Sequence, residues 1–159
     1  MLGEIWRDQY DRVKRSHARL LRTADSLHDV GSDDARDTLF HFCQDAYHLK
    51  DWLKNADPPV LSNTRAVEDF VNDKEAMQIC ADLCNGAKHF RIDLDLERFP
   101  PRTGDENTAV TTQSVTVHFG AGIEHAWTIT SNDNTHDALE LAAQVIADWE
   151  GWLVGQRLL

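Results

Sequence analysis

The hydrophobic period changes twice along this chain. Up to about residue 89 the apolar residues recur every three or four positions. From Phe90 to Thr130 alternating runs appear, and from about Thr135 the longer spacing returns. A spacing of three to four draws one apolar stripe down a helix, whereas alternation paints one face of a strand. The expected architecture is therefore α+β, mainly α: a four-to-five-helix bundle with a small antiparallel β-sheet or hairpin inserted before the C-terminal helix. A chain of 159 residues suits a single domain, 1–159, with the β insertion at about 90–131.

The first helix is expected over 3–29, with Ile5, Trp6, Tyr10, Val13, His17, Leu20, Leu21, Ala24 and Leu27 on its stripe and Gly31 as its stop. Ser32, Asp33 and Asp34 open a second, about 33–55, with Ala35, Leu39, Phe42, Cys43, Ala46, Leu49 and Leu53 as its core residues. Asn63-Thr64 caps a short helix containing Val67, Phe70 and Val71. Another follows at about 74–89 with Met77, Cys80, Leu83, Cys84 and Ala87 inward. Ile92, Leu94 and Leu96 alternate as a strand, and residues 99 to about 112 read as a mobile loop. Residues 113–119 and 123–130 form a hairpin around Gly120-Ala121-Gly122. Residues 131–135 break the strand and cap a last helix, about 135–154, with Ala138, Leu141, Ala142, Val145, Ile146, Trp149, Trp152 and Leu153 on its stripe.

The net charge of −11 repels DNA, RNA and anionic membranes at long range. It is unevenly spread: residues 1–22 hold six Lys or Arg against three acids. Within them Arg12, Arg15, Arg19 and Arg22 fall three, four and three apart, one basic ridge able to grip RNA phosphates or an acidic protein partner. The local alternative is neutralisation by Asp8 and Asp11, each four residues before Arg12 and Arg15. The start of the chain is charged and mixed, which reads as no signal peptide and a cytoplasmic location. Three cysteines, Cys43, Cys80 and Cys84, suit reduced thiols on apolar stripes.

Two helices carry a polar face beside the apolar one. On the second, His41, Asp45, His48 and Trp52 fall within about 60° of arc, on the side away from Ala46 and Leu49. Asp45 and His48, three apart, allow the carboxylate to orient the imidazole. On the fourth, Asp82, Asn85 and His89 share a face with Lys88 on its flank. If the two faces pack together, Asp45, His48, Asp51, Asp82, Asn85, Lys88 and His89 converge into a set suited to acid–base chemistry on a phosphodiester or to anion binding. A structural ion-pair network is the alternative. No cofactor is implied by any motif, and a dinuclear metal site, which needs two Asp-x-x-His pairs and further carboxylates brought together in one bundle, is not expected.

The stretches His48-Leu49-Lys50-Asp51-Trp52 and Asp82-x-x-Asn85-Gly86-x-Lys88-His89 resemble a group of bacterial and phage helical proteins and, more broadly, the HEPN class of helical domains. The resemblance covers roughly residues 35–90. It implies a four-to-five-helix bundle, often dimeric, in a toxin–antitoxin or defence setting, either a metal-independent ribonuclease or a binding partner without catalysis. Arg36-Asp37…His41 fits the Arg-polar…His pattern of the active members, as do Arg12…His17 and Arg22…His28, while Cys84 stands where an Arg would precede Asn85…His89. For a ribonuclease the expected roles are His48 or His89 as general base, Lys88 on the phosphate, and Asp45 or Asp82 orienting the imidazole. Asn85, Asp51, Trp52 and the four ridge arginines are the expected binding residues. The competing expectation is a non-enzymatic module that interacts or oligomerises, as a homodimer for instance, through Trp6, Trp52, Trp149 and Trp152.

Overall fold

A computed structural model describes residues 5–25, 27, 30–88, 109–118, 122–131 and 134–159, with 86–88 and 109–118 described by their backbone alone. Among these residues the chain runs α1 (Trp6–Thr23), α2 (Ser32–Lys54), α3 (Arg65–Asp73), α4 (Glu75–Lys88), β1 (Ala109–His118), β2 (Gly122–Ser131), β3 (Asn134–Asp137) and α5 (Ala138–Gly155). The fold is α+β, mainly α. No described helix is long and apolar enough to cross a membrane.

Helix α2 is the central rod. Ala35, Leu39, Phe42, Cys43, Ala46 and Leu49 are fully buried along it. Each large side chain among them contributes about 1.5–3 kcal/mol by leaving water. Helices α1 and α4 pack along its length. Helix α5 is tied to it where the indole Nε1 of Trp149 donates to the Ala46 carbonyl at 3.1 Å. Trp149 and Trp152 pack on Phe70, with centroids 4.9 and 5.3 Å away, which brings α3 into the same core.

Helix α1 is shorter than the spacing predicts. Thr23 Oγ1 turns back to the Leu20 carbonyl at 2.7 Å, and Asp25 Oδ1 accepts the Leu27 N–H at 3.0 Å. Such local bonds compete with the helical ladder and end it. Leu27, which the spacing places on the stripe, is 79% exposed. Gly31 is no stop for α1. It is the N-cap of α2, and its carbonyl accepts the Ala35 N–H at 2.9 Å.

The sheet has the order β1-β2-β3, both pairs antiparallel. Strand β1 starts at Ala109, inside the stretch read as loop, because a register shift between Val110 and Thr112 interrupts its alternation. The strand expected over 92–96 lies outside the described residues. Residues 131–135 do not simply break the chain: Asn134–Asp137 pairs back on β2, with Ser131 opposite Asn134. The helix cap is Asp137, whose Oδ1 accepts the Leu139 and Glu140 N–H groups at 2.8 and 3.0 Å. On β2, His125, Trp127, Ile129 and Ser131 alternate inward. The Nε2–H of His125 donates to the Val30 carbonyl at 2.7 Å and pins the entry of α2 to the sheet.

Candidate nucleic-acid-binding face

The polar face of α2 is divided between two neighbours. Asp45 turns to α1. Ser16 Oγ donates to its carboxylate, and Gln9 Nε2 donates to its backbone carbonyl at 2.9 Å. Ser16 is fully buried and Gln9 nearly so. His48 turns to α4, with Nε2 3.8 Å from the Cys84 sulfur. The expected orientation of His48 by Asp45 is therefore not what the side chains do. Leu49 lies only about 40° round the helix from Asp45, so Asp45 sits on the flank where α1 packs and not opposite the core. His41 is exposed.

Helix α4 meets α2 with its thiol face. Cys80 hydrogen-bonds to Cys43, and that bond, reinforced by burial, raises the Cys80 pKa. All three cysteines are buried thiols without a disulfide. Asp82 lies about half a turn round from Cys80 and is buried at 5% exposure. Asn85 is half-buried. Among the described residues of the anticipated cleft, His48 meets Cys84, a small buried thiol. This contact packs α4 against α2. His89 lies outside the described residues, and of Lys88 only the backbone is described.

Asp51 belongs to a separate ion-pair set. Lys50 Nζ stands 3.4 Å from Asp51 and 3.5 Å from Glu68, and Lys54 reaches Glu68 at 2.5 Å. Burial pulls the Lys50 pKa down, but the charges of Tyr47, Asp51 and Glu68 outweigh it and the net shift is upward. These groups clamp α3 to α2. A cleft of about 440 Å³ at the start of α5 is lined by Lys74, Glu75, His136, Asp137, Glu140 and Asp148; His136 Nε2 is buried there with no hydrogen-bond partner, 3.9 Å from the Glu75 carboxylate. Asp137 caps the helix there, and Asp148 faces Lys74 at 3.5 Å. Among the described residues no three His, Cys, Asp or Glu side chains are grouped to hold a metal ion.

The basic ridge of α1 is what the fold singles out. Asp8 Oδ2 accepts the Ile5 N–H at 2.7 Å and caps its own helix, and Asp11 pairs with Lys14 at 2.6 Å. The hydrogen bond from Lys14 lowers the Asp11 pKa. The charges of Arg15 and Arg7 act on Asp11 in the same direction more weakly, so Asp11 is shared among three cations. Arg12 Nη1 donates to Gln9 Oε1 at 2.5 Å and its guanidinium lies 5.8 Å from the Trp52 ring centroid. Arg19 Nη2 donates to Ser16 Oγ at 3.0 Å. Arg15 and Arg22 are exposed.

Two braces thus run from the ridge to α2, Arg12–Gln9–Asp45 and Arg19–Ser16–Asp45. The arginines, Asp45 and Trp52 stand out in the sequence, whereas Gln9 and Ser16 do not. The available signal was a period of seven: Gln9, Ser16 and Thr23 are polar residues inside the apolar stripe of α1, and all three are buried. Ordered arginines beside an indole can hold phosphates, because a braced guanidinium loses less freedom on binding. Compared with protein-family models, with curated proteins and with solved structures, the chain matches none.

Proposed function

We propose that this protein binds RNA through the α1 ridge, as a HEPN-like module in a defence or toxin–antitoxin setting. One observation carries the reading: α1 bears six Lys or Arg against two acids, and those two acids, Asp8 and Asp11, are occupied by Ile5 and Lys14. The ridge therefore presents cationic charge on a chain that is otherwise strongly acidic. The proposal is of binding and not of cleavage, because Asp45 and His48 are turned to different neighbours. Gel-shift titration of an RNA oligonucleotide at low salt tests it. Arg15→Glu with Arg22→Glu should abolish the shift, and a shift unaltered by both substitutions refutes the assignment.

A second reading, a non-enzymatic interaction or oligomerisation module, draws on a different surface. Ile5, Val154 and Leu159 are 51, 58 and 49% exposed. Arg7 Nη2, donating to the Leu158 carbonyl at 2.6 Å, ties the start of α1 to the end of the chain. Of the four indoles expected to mediate association, Trp6 and Trp149 are buried in the protein's own core. Light scattering over a range of concentrations separates the two readings, since association through this apolar end would raise the mass without RNA.

A further inference from the structure

We infer that Trp52, with Arg12, forms a stacking platform for an unpaired nucleobase, so that the nucleic acid held on the ridge is single-stranded. The inference rests on the RNA-binding reading and adds a base-binding subsite to it. Trp52 is half-buried on the polar face of α2, outside the fully buried core, and the Arg12 guanidinium lies 5.8 Å from its ring centroid. Arg12 is steadied by Gln9, and Gln9 by the Asp45 carbonyl. The pair therefore sits at the seam of two helices, next to the arginines that take phosphates.

A half-buried guanidinium 5.8 Å from the indole centroid is a modest contact, and a base stacked on the same ring is a stronger one. A base can stack on the open part of the indole face while Arg12, still held by Gln9, lies alongside to meet the phosphate that the base carries. Both contacts favour the complex. A base already paired in a duplex cannot present its face in this way. The charge distribution argues in the same direction. The ridge from Arg12 to Arg22 is about 15 Å long and one helix wide. Asp33, Asp34 and Asp37, exposed on the neighbouring α2, would repel a broad polyanion that overlapped them.

The test compares three probes by fluorescence anisotropy in one low-salt buffer: a single-stranded pyrimidine RNA, the same strand in a duplex, and the same strand with abasic positions. The single strand should bind at least about tenfold more tightly than either of the others, as expected for one stacked base. Trp52→Leu should remove that advantage, while Arg15→Glu with Arg22→Glu should weaken all three probes together. The abasic comparison needs no substitution and decides the matter even if Trp52→Leu does not fold. Equal binding of all three probes overturns the stacking platform and leaves the phosphate-binding ridge standing. No binding of any probe overturns both.

Discussion

Ser16 on α1, fully buried, donates its hydroxyl proton to the half-buried carboxylate of Asp45 on α2. The same hydroxyl accepts from Arg19. This serine joins the packing of the bundle to the orientation of its basic surface. Ser16→Ala should lower stability by about 1–3 kcal/mol, the range for a shielded polar group that loses its partner. Urea denaturation measures it. Asp45→Asn, which keeps an acceptor, should cost less.

The Lys50–Glu68 contact gives an asymmetric prediction. Glu68→Ala leaves the Lys50 ammonium, with its side chain 9% exposed, short of its partner across the helix pair. The expected cost is about 1–3 kcal/mol. Lys50→Met keeps the packing of the stem and removes the buried charge, so it should cost less. In a double-mutant cycle the combined variant should resemble Lys50→Met more than Glu68→Ala.

Stability should fall at both ends of the pH scale, with named causes. Burial lowers the pKa of His17, which packs on Phe42 with ring centroids 5.7 Å apart. The unfolded imidazole then takes a proton more readily than the folded one, so stability is lost as pH falls through about 6.5 and stops falling once the folded ring is also protonated. Tyr10 is pushed up to about 12 by burial, then by the charge and hydrogen bond of Glu150. Its neutral form is favoured in the fold, so stability is lost as pH rises from about 10 toward 12. Melting temperatures of His17→Leu and Tyr10→Phe should show the acid and alkaline limbs flattened, one by each substitution.

Arg157 adopts a left-handed backbone, φ 60°, just beyond α5, where its N–H bonds to Val154 and that of Leu158 to Leu153. This is a helix-ending turn that favours glycine. Arg157→Gly should raise stability by about 1 kcal/mol, since the left-handed conformation then costs nothing sterically. Chemical denaturation of the single variant checks the sign.

The parts of this fold legible in the sequence were those where one physical demand dominates. Every core position assigned to α2 is buried, because apolar residues at helical spacing leave a long segment no better option. The end of α1 is not legible from spacing, because Leu27 extends the period by coincidence after Thr23 and Asp25 have already terminated the helix. Strand β3, Asn134-Thr135-His136-Asp137, was invisible because a short polar edge strand has no alternation and is set by pairing with β2 alone. The arginine ridge was legible from spacing. Its braces were not, since a glutamine and a serine acquire their meaning only when a second helix supplies the carbonyl and carboxylate of Asp45. The contact of His48 with Cys84 depends on how α4 lies across α2, which periodicity does not specify.

The salt dependence of RNA affinity tests the central claim most directly. Phosphate contacts release counterions, so the logarithm of the binding constant should fall linearly with that of the salt concentration. Removing Arg15 or Arg22 singly, as Arg→Ala, should reduce that slope by about 1 each and weaken binding similarly for every sequence tried. A slope near zero, or one unchanged in both variants, would contradict the assignment of α1 as the nucleic-acid surface.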